Sequence, residues 1–173
     1  MLTKNFTLLL TAIASNRKGN MGFVPDYVVN TDGVQVPPVN NYSAVSDLRQ
    51  LLNISTKHLS ELGTTTGVGT FGFGNGTTLP NKLDYNLVNP VDDSKFSIVS
   101  ANTSFAEDQA TLRQQIIYSG TDNITISEVG YFYNYGTSNG GAVYYFPILI
   151  ARQVIEPMTI KPNDTFQVSM LIG

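Results

Sequence analysis

The sequence predicts a mainly β protein, an antiparallel β-sandwich of the jelly-roll or immunoglobulin-like kind, with helical segments near the N-terminus. After residue 63, short runs of β-branched and aromatic residues follow one another, and turn signals separate them. The last run, residues 165–172, alternates apolar and polar side chains, as a strand with one buried face does. A length of 173 residues is enough for one domain with its own hydrophobic core.

The first part of the chain, residues 1–42, is predicted to be an N-terminal arm. Apolar residues recur there at helical spacing and predict a short amphipathic helix that packs on a domain or on a neighbouring subunit: Leu2, Phe6, Leu9, Leu10 and Ile13. A Pro/Gly/Asn-rich stretch follows, and its turn signal Asp32-Gly33 between valine-rich pieces predicts a small hairpin. We expect this arm to mediate assembly.

Residues 43–173 are predicted to form a single sandwich domain with a leading helix at 43–62. Apolar residues recur at spacings of three and four in this helix, between a candidate N-cap at Ser43 and a C-terminal Gly63. Polar residues at 53, 55 and 56 leave open a break into two pieces. The expected strands cover residues 94–104, 111–118, 124–135, 142–155 and 165–172, after a Gly/Thr-rich stretch at 64–78.

Composition argues against most enzyme chemistry. The chain has no cysteine, which excludes disulfides, thiolate metal sites and cysteine nucleophiles. The single histidine, His58, precedes Glu61 by three residues, and this pair offers two metal ligands but not a complete site. Residues 67–72 have the spacing of a dinucleotide-binding loop but lack the strand before it and the helix after it. We therefore predict no enzyme, with no catalytic residue, no metal and no cofactor.

Charge and hydropathy bear on the partners of the protein. The formal net charge is −3, and charged residues make up 13% of the chain, so the sequence has no basic footprint for a phosphate backbone or an anionic lipid. No apolar stretch approaches the length of a membrane span. The predicted partners are therefore other proteins, with no direct contact to nucleic acid and none to a membrane.

Two charged residues, Glu128 and Arg152, lie within the two most apolar strands. Glu128 has the same parity as Ile124 and Ile126, and Arg152 has that of Ile148 and Ile150, so strict alternation places both charges on core-facing rows. A charge in such a row is costly unless it is paired. We predict a structural ion pair across adjacent antiparallel strands; two separate edge positions are the alternative.

Aromatic residues concentrate in residues 131–146. They fit a stacking platform for sugars or bases, or a sheet face whose tyrosines lie at a protein interface. The candidate interface residues from the arm and from this segment are Leu2, Phe6, Leu9, Ile13, Tyr131, Tyr133, Tyr144 and Tyr145.

Three further stretches follow one another in a distinctive order. Residues 72–78, leading through Pro80 to residues 84–87, resemble the pattern GxGxTxPxxxDYxL. Residues 124–131 resemble ITIxEVGLY, and residues 149–165 resemble LxARxxxxPxTIxPGDT. Together they resemble small structural proteins of tailed bacteriophages, over roughly residues 67 to 173. Asn163 stands where those proteins usually have glycine, and asparagine tolerates the same left-handed turn.

The resemblance implies a β-sandwich building block of a virion, without catalysis or cofactor. The expected function is that of an accessory head, neck or fibre-attaching component, assembled in the host cytoplasm and located in the virion. Its expected partners are other virion proteins, such as capsid, portal, neck or tail components, and further copies of itself. A carbohydrate- or receptor-binding module of a phage tail or surface protein is the alternative.

Overall fold

Two three-stranded antiparallel sheets form the body of the protein in a computed structural model. The structure describes residues 1–17, 28–36, 48–64, 67–107, 109–139 and 142–173. The first sheet has the order β3 (Gly69–Gly74), β6 (Ile124–Asn139), β7 (Ala142–Ile160), and the second has the order β4 (Phe96–Phe105), β5 (Ala110–Tyr118), β8 (Thr165–Ile172). The sheets pack against each other, which confirms the predicted mainly β, sandwich-like fold with a short N-terminal helix.

Apolar and aromatic side chains from both sheets fill the core between them. The ring of Phe73 on β3 packs against Phe96 on β4 and Phe166 on β8, with centroids 4.8 and 5.7 Å apart. Phe96 in turn contacts Tyr118 on β5 at 5.5 Å. Aromatic edge contacts of this kind add to the area that the rings bury, so this cluster joins the two sheets.

A buried amide also links the two sheets. Gln114 lies on β5 between Leu112 and Ile116, and all three side chains face the core. Its Oε1 accepts a hydrogen bond from the Phe71 N–H at 3.2 Å, and its Nε2 donates to the Ser55 carbonyl at 2.6 Å. These bonds satisfy a backbone donor of β3 and a backbone acceptor of the segment beside it.

The N-terminal residues pack on the chain's own sandwich. Leu2 forms a β-bridge with Ala151, and helix α1 (Lys4–Arg17) then lies against β7. Phe6 and Leu9 are 6% and 3% exposed and belong to the main core. The interface role predicted for these two residues is therefore wrong, because the sandwich itself buries their apolar surface; the side chain of Ile13 lies outside the described residues.

The predicted hairpin in the first part of the chain is confirmed. Strands β1 (Val28–Val29) and β2 (Gln35–Val36) pair antiparallel, and Gly33 in their turn has a φ of +77°, a conformation that favours glycine. Val28 and Val36 are buried in the main core. The described parts of residues 1–42 thus pack against the domain instead of extending from it as an arm.

The prediction of one continuous helix at 43–62 is wrong, whereas the alternative of a break into two pieces near residues 53–56 is confirmed in the described residues. Helix α2 covers only Leu48–Leu51, and a 3₁₀ helix covers Leu59–Thr64; residues 43–47 lie outside the described residues. Between the two, the chain is extended beside β3: the Gly69 N–H donates to the Asn53 carbonyl at 2.7 Å, and the Ser55 N–H donates to the Gly69 carbonyl at 2.8 Å. Pairing with a sheet edge satisfies this backbone better than one more turn of a polar helix.

The predicted strands agree closely with the observed ones, and residues 165–172 agree at both ends. The last turn holds Asn163 at a φ of +67°, the left-handed conformation expected there. The Gly/Thr-rich stretch contains β3, which is buried throughout. Its glycines leave room for aromatic rings of the neighbouring strand, because a Cβ on Gly69 would meet the Tyr131 ring and one on Gly72 would meet Phe132.

Candidate functional site

The predicted pair of Glu128 and Arg152 forms the centre of a buried polar cluster, here called the Arg152 cluster: Arg152, Glu128, Asp84 and the carbonyl of Thr78. Arg152 is 1% exposed and Glu128 is 0% exposed. The guanidinium Nε donates to Glu128 Oε1, Nη1 donates to Asp84 Oδ2 at 2.8 Å, and Nη2 donates to the Thr78 carbonyl at 2.8 Å. The structure therefore brings the predicted partners together, and the alternative of two separate edge positions is wrong.

The position of this pair differs from the one that strict alternation predicts. The β6–β7 ladder is irregular between Ile126 and Glu128, and again between Tyr131 and Phe132. Past the first irregularity Val129, not Glu128, faces the main core. Past the second, Ala151 joins the main core and Arg152 points to the outer side of the first sheet. Because both residues change face together, they still meet, although not between the sheets.

The loop of residues 75–91 covers the Arg152 cluster. The Glu128 carboxylate accepts hydrogen bonds from the Val88 N–H at 2.9 Å and from the Asn89 N–H at 3.5 Å. A Cβ on Gly74 or on Gly76 would lie 2.5 or 2.6 Å from Glu128 Oε2, so only glycine lets the loop close on this carboxylate. The cluster thus fixes the loop by charge-assisted bonds to its backbone and to Asp84.

A small apolar cluster lies beside these charges on the same side of the first sheet. It joins Leu87 of the loop to Phe132 on β6 and Leu149 on β7, and Leu59 packs against it. A Cβ on Gly130 would come within 2.8 to 2.9 Å of the first three side chains, so the loop needs a glycine beneath it. The Arg152 cluster and this apolar contact therefore both hold the loop of residues 75–91 against the first sheet.

The chemistry open to the Arg152 cluster is structural. Each nitrogen of the guanidinium donates to a protein acceptor, and its own burial leaves no path for a substrate. Of the three charged side chains in the cluster, only the Asp84 carboxylate, at 22% exposure, reaches solvent. Sequence reasoning missed Asp84 and Thr78 as partners: both are fixed positions of the first motif, but nothing in the sequence places that loop beside Arg152. Gln114 was also missed, although a polar residue in an apolar strand row is a readable signal.

His58 lies in a separate, half-buried group. Its Nε2 is 3.1 Å from Glu61 Oε1, while its Nδ1 is 2.9 Å from Ser60 Oγ and 3.5 Å from Asp93 Oδ2. The two carboxylates lie on opposite sides of the ring, so they do not converge on one point. Among the described residues no group of three His, Cys, Asp or Glu side chains is arranged to hold a metal ion.

Two shifted pKa values mark other polar sites. Burial, and then the nearby phenol of Tyr133, raise the pKa of the Tyr131 hydroxyl well above its usual range. That hydroxyl donates to the Leu51 carbonyl at 2.9 Å. At the surface, hydrogen bonds from the side chain and backbone of Ser94 lower the pKa of Asp92, which caps the 3₁₀ helix Asp93–Lys95. Both groups stabilise local structure.

The predicted aromatic surface is largely internal. Tyr131 and Tyr133 are 0% exposed, so their assignment to an interface, or to a stacking platform, is wrong: they face the main core. Tyr144 is 50% exposed and Tyr145 is half-buried, so both remain candidate interface residues, as does the half-buried Leu2. Residues 126–136 of β6 are buried on both faces of the strand, which single-strand composition does not reveal.

The exposed apolar side chains concentrate instead on the loop that the Arg152 cluster holds. Leu79 and Leu83 are 80% and 71% exposed, and Val88 and Tyr85 are 54% and 46% exposed. The described residues contain no helix long and apolar enough to cross a membrane. Comparison of the chain with protein-family models, with curated proteins and with solved structures finds no match.

Proposed function

We propose that this protein is a structural component of a tailed-bacteriophage virion, an accessory head, neck or fibre-attaching subunit that acts through protein–protein contacts in a symmetric assembly. The observation that carries the proposal is the convergence of the three motif-bearing stretches on one place. Thr78 and Asp84 come from the first stretch, Glu128 from the second and Arg152 from the third. Residues that make the chain resemble those phage proteins thus build one structural feature.

The Arg152 cluster holds the loop of residues 75–91 in place, and this loop exposes apolar side chains to water. Arg152 and Glu128 hold the loop backbone, and Leu79 and Leu83 point outward from it. An exposed set of large apolar residues on an ordered segment is typical of a protein contact surface. A subunit that has to present such a loop in one conformation fits an assembly role, because preorganisation lowers the entropic cost of docking.

The tyrosines in the middle of β6 do not support a glycan- or receptor-binding role. Tyr131 and Tyr133 lie in the core, and of the two tyrosines near the tip of the hairpin only Tyr144 is well exposed. Stacking on a sugar ring requires an accessible aromatic face. Such a role would therefore depend on a surface centred on Tyr144.

The test is complementation in the phage that encodes the chain. Deleting its gene is expected to give particles that lack a head, neck or fibre component, and supplying the chain in trans is expected to restore them. His58→Gln is the matched control: a structural subunit complements fully with it, whereas an enzyme that uses its only histidine does not. Normal infectious particles in the absence of the chain would overturn the proposal.

A further inference from the structure

The outer edge of β3 is closed by the chain itself. At one end Gly69 exchanges hydrogen bonds with residues 53 and 55, and at the other the Val91 N–H donates to the Phe73 carbonyl at 2.8 Å. Between these two ends of the edge, the Phe71 N–H donates a hydrogen bond to the side-chain oxygen of Gln114. Protection along a whole edge is how sandwich proteins avoid unwanted strand pairing.

The outer edges of β7 and β4 are also modified. On β7, the Thr3 N–H donates to the Ile150 carbonyl and the Arg152 N–H donates to the Met1 carbonyl, both at 2.9 Å. On β4, the register is irregular between Ile98 and Ser100. An N-terminal segment covers one edge and a bulge interrupts the other, and both devices discourage the addition of a further strand.

Strand β8 carries none of these protections. It is an edge strand, and all eight of its residues pair with β5 in one uninterrupted register. Its sequence TFQVSMLI contains no charged residue and no proline. Among the residues that the structure describes, no hydrogen bond from outside the second sheet reaches the β8 backbone. An edge of this kind is a template for pairing with another chain.

The side chains of β8 indicate what kind of strand would complete it. Phe166 and Val168 face the core but are only partly buried, whereas Gln167 and Ser169 on the other face are exposed. A cavity of about 380 Å³ lies between the β7 and β8 edges, lined in part by Leu2, Ala151, Gln153 and Met170. The strand that fits beside β8 therefore alternates apolar residues toward the core side and polar residues toward solvent.

We propose that β8 is a self-association edge, which pairs antiparallel with β8 of a second copy of this chain around a two-fold axis. The second sheets of the two copies then form one continuous six-stranded sheet. β8 itself has the required alternation over Thr165–Met170, and Leu171 is the one apolar residue on its solvent side. A two-fold axis perpendicular to the sheet keeps the core-facing sides of both copies together. Because the strand is uncharged, no like charges meet across the axis.

The alternation also determines where the axis passes. Residues directly opposite each other in an antiparallel pair point to the same side, so a residue on one copy pairs with a residue of the same parity on the other. The longest overlap that keeps this parity pairs seven of the eight residues of β8, either 165–171 or 166–172, and places the axis at Val168 or at Ser169. At that position the residue faces its own equivalent, with Cα atoms about 4.5 to 5.5 Å apart.

The absence of native cysteine makes this geometry directly testable. In oxidising conditions, Val168→Cys or Ser169→Cys is expected to form a cross-linked dimer, because the Cα separation lies within the range of a disulfide. Asn102→Cys is the matched control: Asn102 on β4 and Ser169 on β8 both flank Arg113 on the same exposed face. It is expected to stay monomeric in the same gel assay.

Sedimentation of the purified chain gives the second readout. At about 100 µM, where even a weak micromolar dimer is populated, we expect a dimer that Ser169→Lys weakens at least about tenfold while Asn102→Lys leaves it unchanged. Circular dichroism checks that both variants fold. A monomer at this concentration, equal effects of the two lysines, or cross-linking through Asn102→Cys would each overturn the inference.

The inference rests on the self-association part of the proposed function, but the two fail separately. If the chain is needed for normal particles and Ser169→Lys complements its loss fully, only the β8 edge is refuted. If the chain dimerises through β8 but its gene is dispensable for particles, only the virion role is refuted.

Discussion

The Arg152 cluster predicts a measurable coupling between Glu128 and Arg152. Arg152→Met removes the donor to three acceptors and leaves the fully buried Glu128 carboxylate with only backbone partners. Breaking a buried pair in this way costs about 3 to 5 kcal/mol of unfolding free energy. Glu128→Gln should cost less, about 2 to 3 kcal/mol, because Asp84 still pairs with the guanidinium.

The double variant separates pairing from burial. With both charges removed, no carboxylate is left buried at position 128 without its guanidinium, and the Asp84 carboxylate that also loses Arg152 is partly exposed to water. The combined cost should therefore be smaller than the sum of the two single costs by about 2 kcal/mol. Asp84→Asn is the graded control: its side chain is 22% exposed, solvent screens it, and its cost should be about 1 kcal/mol or less. Urea unfolding followed by circular dichroism measures all four values. Additivity within about 0.5 kcal/mol would refute the reasoning.

Three further predictions concern the rest of the fold. Gln114→Leu leaves the Phe71 N–H and the Ser55 carbonyl without their partner, so it should lower the free energy of unfolding in urea by about 1 to 3 kcal/mol. An unchanged free energy of unfolding would contradict the bridging role of Gln114. Deleting residues 1–17 removes the buried apolar side chains of Phe6 and Leu9 and should lower the thermal midpoint strongly, because burial of each contributes about 1.5 to 3 kcal/mol. An unchanged midpoint would show that the helix is dispensable. The pKa of the Tyr131 hydroxyl is raised in the folded state, so above pH 10 the unfolded chain releases this proton first and the free energy of unfolding should fall as the pH rises. Tyr131→Phe should weaken that fall, and a pH profile identical to that of the unmodified chain would contradict the prediction.

Local patterns were sufficient for the fold class and for most strands. Period-two alternation in residues 165–172 and the Asp32-Gly33 turn depend on neighbours in sequence, and both predictions are confirmed. The helix at 43–62 is broken at the polar residues where a break had been left open, because this middle part pairs with β3, a contact that only the tertiary fold creates. The leucine spacing was real, but it described burial against the sandwich and not a continuous helix.

The candidate site was predictable in part. A charge in an apolar strand is expensive, which was reason enough to pair Glu128 with Arg152. The face on which they meet was not predictable, because the two ladder irregularities in β6 and β7 have no signature in either strand alone. Asp84 lies far away in sequence on an irregular loop, so its approach to Arg152 depends on that loop's fold.

Counting the copies of the chain in purified virions tests the central claim most directly. Gradient-purified particles, washed in high salt and analysed by quantitative mass spectrometry, should contain the chain at a fixed ratio to the major capsid protein that matches a symmetric arrangement. A chain that is abundant in the infected-cell lysate but absent from washed particles, or present at a ratio that varies between preparations, would contradict a structural role in the virion.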